Sequence, residues 1–104
     1  MTTHLYRLAE LASRDLDQIW VSVFDQSLNP EVADFVIGVI YDGFKFLGEN
    51  PEAGHFREDL CPKPVKFWSV YSYLIIYRAD NPIQIARIMP GQLDIATMLR
   101  HDPA

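Results

Sequence analysis

Positive charge and cysteine are both scarce in this chain. Nine lysines and arginines stand against fourteen aspartates and glutamates, a formal charge of −5. Domains that hold nucleic acid by neutralising phosphates carry a basic surface, so bulk electrostatic binding of DNA or RNA is excluded and only a local basic cluster remains open. The one cysteine, Cys61, cannot close an intramolecular disulfide. Stability therefore has to come from the core, which suits a reducing cytoplasm. No Gly-x-Gly-x-x-Gly or phosphate-loop motif occurs. No apolar run approaches the roughly 20 residues that span a bilayer, and the N-terminus has no signal-peptide pattern. The expectation is a soluble, cytoplasmic protein without a membrane partner.

What the chain does have is apolar density. With 49% hydrophobic residues in 104 positions, it can build one core but not two, which predicts a single domain over 1–104. Residues 4 to 9 alternate loosely as a short strand. From Glu10 the period becomes helical, with Leu11, Ala12, Leu16, Ile19, Trp20 and Val23 on one side. Ala9 is a poor N-cap, so tertiary packing has to hold that start. Asn29-Pro30-Glu31 opens a second helix with a cap, a proline and an acid in order. Its apolar stripe is Ala33, Val36, Ile37, Ile40, Phe44 and Leu47, and it ends around Gly48. The surplus apolar positions Phe35, Val39 and Phe46 are read as thickening the core, with contact to another chain as the alternative.

Pro51 to Pro64 reads as a long loop, and Phe67 to Gly91 as a three-strand meander with strands near 65–70, 73–79 and 83–89. A short C-terminal helix over Leu93 to Leu99 would complete the chain. The fold class is α+β, a β-α-α-β-β-β order with a helical hairpin packed on an antiparallel sheet.

The chemistry lies in the loop and meander. His55, Arg57, Arg78, Arg87 and His101 could in principle build a phosphodiester-cleaving site. A two-residue turn at Asp80-Asn81 would set Arg78 against Ile83 and Arg87 against Leu74, leaving the two arginines ~13 Å apart. That is too far for both to hold one phosphate, so no catalytic residue is assigned. The three histidines lack metal-ligand spacing, and no metal or cofactor is predicted. Pairs such as Asp15-Asp17 and Glu58-Asp59 read as solvated charges.

ASRDLDQIW on the first helix, NPEAGHFREDL in the loop and YLIIYRADNPIQIARIMPGQLDIATML at the end together resemble the RelE/ParE toxin superfamily of type II toxin-antitoxin systems, in its ParE branch. The most specific pieces are Gly54-His55-x-Arg57-x-Asp59-Leu60 and the hairpin from Tyr77-Arg78 to Arg87-Ile88. The resemblance implies a plasmid-stabilisation type of toxin that inhibits DNA gyrase without catalysis and is neutralised by a cognate, ParD-like antitoxin in a hetero-oligomer. No sequence-specific nucleic-acid binding is implied. The RelE branch, which cuts messenger RNA on the ribosome, uses a C-terminal tyrosine or histidine with basic sheet residues, and no tyrosine follows Met89 here. His55, Arg57, Arg78 and Arg87 are the candidate contacts to target or antitoxin. Where the family commonly carries His-Gly-x-Arg-Asp, this chain reads Pro90-Gly91-Gln92-Leu93-Asp94; a homologue that has lost activity and only binds is therefore a third reading. An isolated chain is expected to be sticky or oligomeric.

Overall fold

A computed structural model describes residues 5–61 and 64–91. Strand β1 (Tyr6–Leu8) leads into helix α1 (Glu10–Ser27), which is followed by α2 (Pro30–Glu49), β2 (His55–Phe56), β3 (Lys66–Val70), β4 (Tyr73–Arg78) and β5 (Ile83–Pro90). The sheet order is β1-β5-β4-β3-β2. The α+β class holds, with two differences from expectation. The sheet is mixed, because β1 runs parallel to β5, and the expected loop contributes a two-residue edge strand, β2, paired to β3. The expected C-terminal helix and His4 and His101 lie outside the described residues.

The helix starts follow their local chemistry. Asn29 caps α2 through its side-chain oxygen, which accepts from the Glu31 amide at 2.9 Å. Ala9 makes no side-chain cap; instead its amide donates to the Ile85 carbonyl of β5 at 2.9 Å, so the sheet anchors the start of α1. The main core lies between the hairpin and one face of the sheet. Ala12, Leu16 and Ile19 of α1 and Ile40, Phe44 and Leu47 of α2 meet Ile75, Tyr77, Ile83, Ile85 and Ile88. Each fully buried isoleucine contributes roughly 2 kcal/mol by leaving water. A smaller cluster on the opposite face contains Cys61, Val65, Phe67, Ile76 and Met89. Cys61 is thus a buried side chain of this cluster.

Of the surplus apolar residues, Val39 is half-buried, whereas Phe35 and Phe46 do not thicken the core. Phe35 is 61% and Phe46 42% exposed, because they project from the side of α2 away from Ala33, Ile40 and Phe44.

The β4–β5 register also departs from expectation. Arg78 lies opposite Gln84 rather than Ile83, one residue further along β5, and a bulge then shifts the register until Arg87 lies opposite Ile76. Ala86 is the extra residue. In a regular strand Arg87 would share the core face with Ile83 and Ile85. The bulge returns Ile88 to the core and turns Arg87 outward, which avoids burying a cation among isoleucines.

Candidate binding surface

Three consecutive strand pairings carry the site residues to one face. His55 lies opposite Phe67, Phe67 opposite Ile76 and Ile76 opposite Arg87, so this row belongs to the face turned away from the helices. Across three strand spacings, His55 and Arg87 are about 14 Å apart. Arg78 is two residues from Ile76 on the same face, which puts it roughly 7–8 Å from Arg87 at the backbone instead of ~13 Å. Yet the two guanidinium groups are directed to different carboxylates.

Arg57 follows β2 and is held bidentately by Asp59, Nε to Oδ1 at 3.0 Å and Nη2 to Oδ2 at 2.8 Å. The hydrogen bond and charge of Arg57 hold the Asp59 carboxyl below its ordinary range. Both side chains are exposed. His55 and Arg57 line an open cavity of about 330 Å³ together with Phe67, Trp68, Ser69 and Leu74. Arg78 sits at the far end of β4, exposed, with Nε 3.4 Å from Asp80.

Arg87 has a different setting. Its Nε and Nη2 donate to Asp15 of α1 at 2.8 and 3.0 Å, and the side chains are only 17% and 15% exposed. The same carboxylate accepts the Ile88 amide at 2.9 Å. Among the described residues β1 pairs with β5 only through Ile83–Ile85, and beyond it Asp15 occupies the Ile88 amide while tying α1 to the strand. Asp15 is therefore no solvated surface charge. Pro90, two residues on, has its missing donor on the same side as the Ile88 amide, away from β4, so no bond of the β4–β5 ladder is lost there, and Gly91 continues with its amide on the Ser72 carbonyl at 2.8 Å.

The loop before β2 is fixed from the core. The Tyr77 hydroxyl donates to the Pro51 carbonyl at 2.7 Å and accepts the Gly54 amide at 2.9 Å. Burial pushes its pKa up, so it remains a protonated donor. A Cβ at Gly54 would come within 2.5 Å of that hydroxyl, which accounts for glycine here. Lys66, also buried, reaches out to Glu52 at 2.6 Å and lies over the Phe56 ring at 5.1 Å.

The structure therefore joins His55 to Arg57, keeps Arg78 apart, and gives Arg87 to α1. Sequence reasoning missed Asp15 and the locking role of Tyr77. A signal for Asp15 existed, since it borders the Ala12, Leu16, Ile19 stripe of its helix. Nothing local marks which tyrosine of the meander turns toward the loop.

A family model described as "ParE toxin of type II toxin-antitoxin system, parDE" matches residues 6–94. No curated protein sequence matches. Among solved structures, the fold is similar to a chain of the "Chromosomal ParDE TA system from P. aeruginosa", with a TM-score of 0.71 and 23% identity over 84% of this chain and 95% of that one.

Proposed function

Because the chain belongs to the ParE toxin family of type II toxin-antitoxin systems, we propose that it inhibits DNA gyrase by binding, with no catalysis of its own, and that a cognate ParD-like antitoxin neutralises it. The family match over residues 6–94 carries this reading. The disposition of the arginines supports binding over RNA cleavage. Arg57, Arg78 and Arg87 each meet an aspartate, which neutralises the cationic field that a developing phosphorane needs. His55 and Arg57 are the central contacts, with Arg78 peripheral, while Arg87 acts indirectly by holding α1 against β5.

The test adds purified chain to gyrase, ATP and relaxed plasmid. Accumulation of gyrase-cleaved DNA is expected, relieved by the antitoxin and weakened about tenfold by Arg57→Ala, an interface loss of roughly 1.4 kcal/mol. Normal supercoiling at a large excess of folded chain would sink the gyrase claim. Cut transcripts in translating extracts would instead indicate a ribosome-dependent nuclease.

A further inference from the structure

Among the described residues, two that are not glycine have positive φ, Leu28 at 55° and Tyr71 at 54°. Both side chains are large and turned to water, 77% and 63% exposed. Val70 pairs with Tyr73, so Tyr71 and Ser72 form a two-residue hairpin turn, whose first position needs positive φ and normally holds glycine, asparagine or aspartate. Leu28 stands at the left-handed cap that ends α1, its amide on the Phe24 carbonyl at 2.6 Å, where glycine or asparagine is usual. This backbone conformation costs an L-residue stability. No hydrogen bond or ring contact among the described residues offsets that cost at Tyr71. The two positions flank one hollow of about 340 Å³, lined by Ser22 and Gln26 of α1 and by Ser72, Tyr73 and Pro90 of the sheet. Its one charged lining residue, Asp15, is held by Arg87.

We propose that Tyr71 and Leu28 anchor the same protein target that the His55–Arg57 surface meets, entering apolar slots of that target on either side of the hollow; this rests on the inhibitory reading above. Continuity of the surface assigns the occupant. The cavity at His55 and Arg57 runs along β3 to Ser69, two residues short of Tyr71, and Phe67, opposite His55, is about 13 Å from Tyr71 at roughly 3.3 Å per residue. A partner burying a standard ~800 Å² of this chain spans that distance. Tyrosine suits the role because its ring is rigid, its torsions are few and its tip is polar. Leucine is a weaker anchor, so Tyr71 carries the larger share. The neutral amides and hydroxyls of the hollow make this contact insensitive to salt, unlike one made by Arg57.

Stability and inhibition should then move in opposite directions. Tyr71→Asn, whose new side chain tolerates the left-handed region, is expected to raise the folded-to-unfolded ratio about threefold and to weaken the trapping of gyrase-cleaved DNA at least about tenfold. Leu28→Asn should stabilise likewise and weaken trapping about threefold, while Tyr71→Phe keeps the ring and should stay within about threefold of wild type. Phe35→Asn, which removes a similarly exposed ring from α2, is the control and should change trapping by less than about twofold. A wild-type chain that leaves gyrase untouched refutes the gyrase reading alone; growth arrest on expression then replaces trapping, and the same order of variants is required. Absence of both activities overturns the proposal. So do full inhibition by Tyr71→Asn, an equal loss in Phe35→Asn, and a Tyr71→Asn chain that loses stability together with inhibition. Weaker relief by the antitoxin with inhibition intact, or a concentration-dependent dimer dissolved by Tyr71→Asn, would give the surface to those partners and overturn it as well.

Discussion

Two arginine–aspartate pairs in this molecule share their chemistry and differ in everything else. Arg57 and Asp59 lie two residues apart in an exposed loop, whereas Arg87 and Asp15 join a strand to a helix across 72 positions and are largely withdrawn from water. An exposed local pair adds little to stability because water screens it and solvates either partner alone. A buried pair also contributes modestly in net terms, yet removing one partner strands the other without solvent. Burial, not hydrogen-bond geometry, therefore separates a residue able to meet a partner from one that holds the fold.

Removing half of the withdrawn pair should produce the largest effect. Asp15→Ala leaves Arg87 without this carboxylate and the Ile88 amide without its acceptor, and should cost about 3 kcal/mol in denaturant unfolding. A loss under about 0.5 kcal/mol would place this pair with the surface pairs. Tyr77→Phe should come next, at roughly 1–3 kcal/mol, since it deprives the Gly54 amide and the Pro51 carbonyl of their partner. Because the folded state holds the Tyr77 proton more tightly than the unfolded chain does, its contribution is complete below the ordinary tyrosine pKa of about 10 and declines as pH rises above it. The wild-type chain should consequently lose more stability than Tyr77→Phe between neutral and strongly alkaline pH, and parallel pH profiles would refute that assignment. The smallest stability change belongs to Arg57→Ala, under about 0.5 kcal/mol, although it should weaken target inhibition. A variant that unfolds would show Arg57 to be structural after all.

Much of the fold was legible because it rests on short-range chemistry. Asn29-Pro30-Glu31 announced α2, the spacing of Ala12, Leu16 and Ile19 announced the inner side of α1, and Ala9 correctly implied a helix start held from outside. The sheet was less legible. Register depends on the length of the 79–82 connection and on the bulge at Ala86, neither of which leaves a periodic mark, although the shift from Ile83 and Ile85 to Ile88 is the trace of a broken alternation. The candidate site was half legible. His55 and Arg57 could be singled out together because they are neighbours in sequence, but Arg87 was grouped with them because its partner, Asp15, is 72 residues away.

The sequence by itself determined the helical hairpin, the meander, the acidic balance and the family, since caps, periodicity and motif spacing act over a few residues. Only the tertiary structure decided which arginine is withdrawn, which apolar stripe of α2 faces inward, and which tyrosine locks the loop before β2. Those outcomes depend on burial and on partners brought together by packing, and the solvation that separates a structural charge from an available one exists only once the chain has folded.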